Sequence, residues 1–318
     1  MSETMKAYVL EEFDAPARIV EVAVPSPGPG QVRVRVRTSS VNPVDSAVVR
    51  GFFRAMMEYR LPAIQGRDFA GTVDSVGANV TAFAPGDEVF GMVKRDYIGD
   101  GTFAEFIVVD ADRFVAHRPD AVDIASAGAL GLAGVTALQC VDALGLEAGD
   151  SVFINGATGG VGLLATQIAA ARGLHVIATA RPGAQDEYVR ELGAEETIDR
   201  TSDDVPSAIR HLHPDGVDGV IDLISRGEAF TAIAASAHER GIAVSTLSAA
   251  PAGPSEGARL VNIHSESDPA LLAQVADLVA SGVVRVPIVA SYPFDRIDEA
   301  FAALATGPNG KIGLLVGD

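Results

Sequence analysis

The sequence predicts an α/β protein in two parts: a β-rich segment closing as a compact barrel, then a doubly wound parallel sheet. Three observations carry this expectation. Residues 5–120 hold short, apolar-alternating runs cut by Pro, Gly and Asn turns, the pattern of a strand-dense barrel. From about residue 122 the period changes, and strands alternate with helices, as parallel crossovers require. Residues 151–171 read as a buried strand, a glycine-rich turn and a small-residue helix.

In chain order, the strand-like runs are 6–10, 32–37, 69–76, 88–93 and 104–109. The 32–37 run alternates strictly, which puts its valines inward and its arginines on a solvated face. Turns fall at 25–30, 77–79 and 85–87. Residues 123–144 are helical in pattern, with a break expected near Gly131 and Gly134. Strands and helices then alternate over 151–156, 163–172, 175–180, 184–193, 196–199, 203–212, 217–224, 227–238, 241–246 and 259–264. A helix over 268–281 carries Pro269 in its first turn. The tail holds a strand, a helix over 298–304 and a last strand over 313–316, and is expected to return to the first part.

Composition narrows the function. A chain of 318 residues with 48% apolar content can bury two domain cores. The net charge, 24 − 42 = −18, repels phosphate backbones and disfavours nucleic-acid binding. The single cysteine, Cys140, excludes an internal disulfide and a Cys-rich structural zinc lobe, and its apolar surroundings suit a small buried hydrophobe. The first residues lack a signal-peptide apolar region and no apolar run reads as membrane-spanning, so a cytoplasmic protein is expected.

The turn over 156–162 carries the chemistry. It reads Ala157-x-Gly159-x-x-Gly162, a G-x-G-x-x-G spacing with alanine at the first position. Such a turn brings backbone N–H groups and a helix N-terminus against a pyrophosphate, where side chains would block the approach. Gly173 suits a left-handed helix end. An NAD site usually carries an acid about 20 residues past the turn. Here the second strand ends Thr179-Ala180-Arg181, with the first acid at Asp186. Thr179 and Arg181 suit a 2′-phosphate instead, and Arg200 falls after the next strand. Solvated loop charge is the competing reading of both arginines. The expectation is NADP(H).

Further motifs are Val41-Asn42-Pro43-Val44-Asp45, Gly66-Arg67-Asp68-Phe69-Ala70-Gly71, Pro85-Gly86-Asp87-Glu88-Val89, residues 101–105, Gly134-Val135-Thr136-Ala137, Leu192-Gly193-Ala194 and Gly310-Lys311-Ile312. In this order and spacing the chain resembles the medium-chain dehydrogenase/reductase superfamily, and within it the zinc-free quinone oxidoreductase and enone reductase branch. The resemblance implies a GroES-like catalytic barrel (1–121 with 283–318), a Rossmann nucleotide-binding domain (122–282) and an active site in the cleft between them. Zinc-dependent relatives place Cys near the Asn42 position and His-Glu near Arg67-Asp68. This chain holds Asn, Arg and Asp there, and its six histidines show no metal spacing in this region, so no metal is expected. His211-Leu212-His213 reads as a helix end, where the dipole favours imidazole.

The implied reaction is hydride transfer to a quinone or an α,β-unsaturated carbonyl, with preorganised donors holding the charge that grows on oxygen. The catalytic candidates are Asn42 as amide donor, Asp45 as an orienting group, Tyr59 and Arg67. Asp68 reads as holding the barrel. The cofactor candidates are Thr136, Thr158, Gly159, Gly160, Val161, Gly162, Thr179, Arg181, Arg200, Leu247 and Lys311. Related quinone reductases often carry tyrosines where this chain has Ala47 and, nearby, Phe53. Residues 51–59 fit an apolar pocket wall or ordinary core equally well, and residues 247–257 also read as pocket-shaping. Two other readings fit the same residues: a carbonyl or alcohol oxidoreductase, and a catalytically silent NADPH-binding structural or regulatory protein. By family habit the strand at 259–264 pairs across a two-fold axis, which makes a homodimer the expected assembly.

Overall fold

The computed structural model describes residues 3–201, 204–251 and 257–317. It packs as two compact units. The first comprises residues 1–132, 266–281 and 286–318, and the second comprises 133–265 and 282–285.

In the first unit the strands are β1 (Thr4–Leu10), β2 (Arg18–Ala23), β3 (Gln31–Val41), β4 (Glu58–Ile64), β5 (Asp68–Val76), β6 (Glu88–Met92), β7 (Tyr97–Asp100), β8 (Phe106–Asp110) and β9 (Val115–His117). Helix α1 (Pro43–Val49) follows β3, and helix α2 (Ile124–Leu144) runs on from this unit into the second. One sheet has the order β2-β1-β4-β7. The other is built on β3, which pairs antiparallel with both β5 and β8. The alternation over 32–37 decides how β3 lies. Val32, Val34 and Val36 are buried, while Arg33 turns outward to pair with Asp74 at 2.6 Å.

The second unit is the alternating one. Its elements are β10 (Ser151–Asn155), α3 (Gly160–Ala171), β11 (His175–Ala180), α4 (Ala184–Glu191), β12 (Glu196–Asp199), α5 (Val205–Leu212), β13 (Val217–Asp222), α6 (Glu228–Ala234), β14 (Ala237–Ser245) and β15 (Arg259–Asn262). The strands form one parallel sheet of order β12-β11-β10-β13-β14-β15. The order reverses between β10 and β13, the place where such sheets bind ligands. Cys140 is fully buried here, and burial pushes its thiol up to about 12, so it acts as a small hydrophobe.

The remaining elements, α7 (Pro269–Ala280), β16 (Ile288–Pro293), α8 (Ile297–Ala305) and β17 (Lys311–Leu315), belong to the first unit. Asp268 caps α7 by accepting from the N–H groups of Ala270 and Leu271. β17 pairs antiparallel with β3, which seats Lys311 beside the start of α1.

Three expectations change. The expected break near Gly131–Gly134 is absent, and α2 is continuous. A Cβ on Gly128 would lie 2.3 Å from Thr38 Oγ1, and one on Gly131 would lie 2.6 Å from the Gly91 carbonyl. These glycines permit close packing instead of breaking the helix. That packing, with Thr38 Oγ1 donating to the Ile124 carbonyl at 2.7 Å, draws the start of α2 into the first unit. The division therefore departs from the expected 121/122 boundary, and α7 falls on the first side too. Third, α2 is long and apolar enough to cross a membrane by length and composition, contrary to the sequence reading, although most of its residues are buried.

Candidate active site

The second unit holds the glycine turn and the start of the helix that follows it. β10 ends at Gly156, whose φ of +89° suits glycine and turns the chain toward α3. The Gly156 N–H donates to Thr179 Oγ1 at 2.9 Å. Helix α3 starts three residues earlier than expected, so Gly160, Val161 and Gly162 offer first-turn N–H groups that have no partner within the helix. A Cβ on Gly162 would stand 2.3 Å from the Gly156 carbonyl, so this glycine lets the helix seat against the turn. A Cβ on Gly159 would meet only that carbonyl, at 3.5 Å, which leaves the outer side of the turn open. Thr158 is buried beside it.

Thr179 departs from expectation. It is fully buried, and its hydroxyl serves the glycine turn, so it shapes that turn and does not face a 2′-phosphate. The two arginines do converge. Arg181 follows β11, Arg200 follows β12, and these strands pair in register at Ala180 and Asp199. Burial first, and then the Arg181 charge, hold the Arg200 guanidinium below the usual arginine range. Gln185 Oε1 accepts from the Arg181 backbone N–H at 2.9 Å and from Arg200 Nε at 3.4 Å, which ties the Arg200 side chain to the Arg181 backbone. Nearby carboxylates are engaged elsewhere, Asp186 by Arg190 and Thr197 and Asp199 by Thr201.

One residue that the sequence reading missed stands at the point where strand order reverses. Asp222 closes β13 fully buried. Its Oδ1 accepts from Asn155 Nδ2 at 3.2 Å and from the Ile224 and Ser225 N–H groups, each at 3.0 Å. Its Oδ2 is buried with no hydrogen-bond partner among the described residues. An orphaned acceptor at this position suits a ligand hydroxyl, and with the open turn and the arginine pair it fits a dinucleotide. The available signal was an Asn and an Asp closing two apolar strands, Asn155 and Asp222. Of the other candidates, Thr136 is hydrogen-bonded to Ser265. Leu247 is held through its backbone, its N–H on Ser245 Oγ at 3.1 Å and its carbonyl accepting from Arg226 at 3.0 Å. Residues 252–256 of the expected pocket segment lie outside the described residues.

The first unit holds a buried polar knot at the start of α1. Asp68 is fully buried. Its Oδ2 accepts from Ser40 Oγ at 2.5 Å and Asn42 Nδ2 at 2.9 Å, and its Oδ1 accepts from the Leu132 N–H at 2.6 Å. Lys311 Nζ donates to Asn42 Oδ1 and lies 3.4 Å from Asp68 Oδ2. Asn42 Nδ2 also donates to the Ser40 carbonyl at 3.3 Å. The Asn42 amide, expected as a free donor, is thus used at both ends. Lys311, expected at the cofactor, is 3% exposed and neutralises Asp68 instead.

The other catalytic candidates surround this knot. Asp45 accepts from the Asn42 N–H at 2.8 Å, and burial pushes its carboxyl up to about 7 against the opposing Arg67 charge. Arg67 is largely buried and donates to the Val93 carbonyl at 3.2 Å; desolvation holds its guanidinium below the usual range. Asp45, Gln65, Arg67 and Tyr97 help line a cavity of about 20 Å³, room for one water. Tyr59 turns its hydroxyl to the Val48 carbonyl at 3.2 Å. In the 51–59 segment, Phe53, Met57 and Tyr59 pack on the core, whereas Phe52 and Met56 stay exposed.

Comparison with known proteins bears on the fold and the family. Residues 28–120 match the alcohol dehydrogenase GroES-like domain, and residues 160–291 match the zinc-binding dehydrogenase domain. The chain is 30% identical over 313 residues to a chloroplast envelope quinone oxidoreductase homolog of Arabidopsis thaliana, covering 92% of each chain. It is 31% identical to an NADPH-dependent alkenal/one oxidoreductase of the same plant, over 97% of this chain and 78% of that one. The solved quinone oxidoreductase of Coxiella burnetii superposes with a TM-score of 0.87 at 26% identity, over 99% of this chain and 100% of that one. A GroES-like unit, a parallel Rossmann sheet and these relatives place the chain in the medium-chain dehydrogenase/reductase superfamily, in its quinone oxidoreductase and enone reductase branch.

Proposed function

We propose that this chain is an NADPH-dependent, metal-independent reductase of quinones or α,β-unsaturated carbonyls. The observation that carries the cofactor choice is the Arg181–Arg200 pair at the ends of β11 and β12, which suits a 2′-phosphate and not a free 2′-hydroxyl. Gly160, Val161 and Gly162 would hold the pyrophosphate through backbone N–H groups, and Asp222 Oδ2 would accept from a hydroxyl of the nucleotide. When bound, reduced nicotinamide supplies the hydride. The substrate class rests on relatives named for quinone and alkenal/one reduction. In the first unit Asn42 and Lys311 position Asp68, and Arg67, which lines the same cavity as Asp45, would face growing oxyanion charge. The positions where zinc enzymes carry Cys and His-Glu hold Asn42, Arg67 and Asp68, a poor donor set for zinc.

The reading includes a homodimer formed through the β15 edge, which among the described residues pairs only with β14. It also includes a cytoplasmic setting, since the apolar residues of α2 are mostly buried in the protein and not offered to lipid. The test is NADPH oxidation measured in parallel against quinones, enones and simple aldehydes, with product identification. Turnover of quinones or formation of saturated ketones is expected. Allylic alcohol as the only product would make it a carbonyl reductase, and tight NADPH binding without any turnover would mark a silent binding protein.

A further inference from the structure

At the end of the six-stranded sheet opposite the glycine turn, two adjacent strands and the end of a helix bring two imidazoles and a carboxylate together. His175 opens β11, Glu196 opens β12 and His213 follows α5. His175 Nε2 lies 2.5 Å and His213 Nε2 lies 3.2 Å from the same oxygen, Glu196 Oε1. The three ligand atoms all fall within 4.8 Å of one another. His213 Nε2 is buried and makes no aligned hydrogen bond despite that short separation. Both imidazoles therefore face one carboxylate oxygen, and only His175 makes a hydrogen bond to it. Two imidazole nitrogens and a carboxylate oxygen this close together form a donor set that a metal ion can take.

We propose that His175, Glu196 and His213 bind a divalent transition-metal ion of borderline softness, of the zinc type, with the remaining coordination position open to water. Imidazole nitrogen and carboxylate oxygen are the donors such ions take, at about 2.0–2.2 Å. Tetrahedral bonds of that length separate their ligand atoms by about 3.4 Å. His213 and Glu196 already stand near that spacing, and His175 needs to withdraw by less than 1 Å. Glu195 Oε2 lies 3.1 Å from His175 Nδ1, the carboxylate–histidine relay that fixes the tautomer and aims Nε2 at a metal. The side chains are about one-fifth to one-third exposed, so an ion can enter from solvent. The ion would staple β11, β12 and α5 far from the nucleotide turn, and would stabilise the unit without joining the reaction. No sequence motif announces the site, because each ligand comes from a different element.

The test uses the full chain, stripped with chelator and dialysed against zinc salt alone. One zinc per chain is expected, with a rise in Tm that follows zinc concentration. Glu196→Gln and His213→Gln should each weaken zinc by more than about 10-fold and abolish the Tm rise, and Glu195→Gln should weaken it by about 10-fold. His211→Gln, an exposed neighbour on α5, should leave binding unchanged. NADPH oxidation should not depend on zinc, so failure here is distinct from failure of the reductase reading. Absence of saturable zinc binding up to millimolar concentration, or equal affinity in His213→Gln and the parent, overturns the proposal. Should His213→Gln not fold, Glu196→Gln decides the question.

Discussion

Replacing Lys311 by methionine tests whether the buried knot at the start of α1 acts as one electrostatic unit. The ammonium donates to Asn42 Oδ1 and stands 3.4 Å from Asp68 Oδ2, with both residues almost wholly buried. Methionine keeps the length and loses the charge. Asp68 would then be a buried carboxylate held only by Ser40 Oγ, Asn42 Nδ2 and the Leu132 N–H. Removing one partner of a buried pair costs about 3–5 kcal/mol, and these three donors place the loss toward the lower end. Orphaning Asn42 Oδ1 adds about 1 kcal/mol or more. The double change Asp68→Asn with Lys311→Met removes both charges and should regain about 2 kcal/mol, within the range of coupling seen between touching residues. Urea unfolding followed by tyrosine fluorescence suits the measurement, because Tyr8, Tyr59, Tyr97 and Tyr292 lie in the first unit and only Tyr188 in the second. A loss below about 1 kcal/mol for Lys311→Met, or a double variant no more stable than the single, refutes the reasoning.

Three further outcomes follow from the same geometry. The Asp45 carboxyl is raised from 3.8 to about 7 in the folded chain, so the folded state holds a proton that the unfolded chain has released; stability therefore falls as pH rises between those values, on the order of a few kcal/mol, and Asp45→Asn should flatten that slope in urea midpoints taken at about pH 5 and 8, an unchanged slope refuting it. Arg181→Asp should raise KM for NADPH about 10- to 100-fold by removing a charge-assisted contact, with less effect on NADH, and an unaltered NADPH/NADH ratio of kcat/KM would remove the 2′-phosphate assignment. Gly162→Ala forces a Cβ to within 2.3 Å of the Gly156 carbonyl, so the helix must shift; a loss of about 1–3 kcal/mol in stability and at least about 10-fold in NADPH affinity by calorimetry is expected, whereas parental affinity would mean that this packing does not position the turn.

Much of the second unit was legible because its signals are local. The strand–turn–helix over 151–171 depends on a few adjacent residues: Gly156 turns the chain at a φ of +89°, and Gly159 and Gly162 face backbone within that stretch. The arginines after β11 and β12 were also readable, since each sits just past a run that ends a strand. The resemblance supplied the GroES-like barrel, which the spacing of short runs only hinted at. The expected break in α2 failed for the opposite reason. Glycine in a helical pattern is ambiguous until the neighbour is known, and here the neighbours are Thr38 and Gly91, far back in the chain.

Residue types in order were enough to set the alternating parallel sheet, the glycine turn before α3 and the arginines that follow β11 and β12, because strand, turn and helix signals act over a few residues. Only tertiary structure could decide which polar groups remained free. Whether a side chain is spent or available depends on partners far away in the chain. Lys311 meets Asn42 across most of the sequence, Thr179 reaches the turn at Gly156 from the next strand, and Asp222 keeps one oxygen unpaired because no neighbour among the described residues supplies a donor.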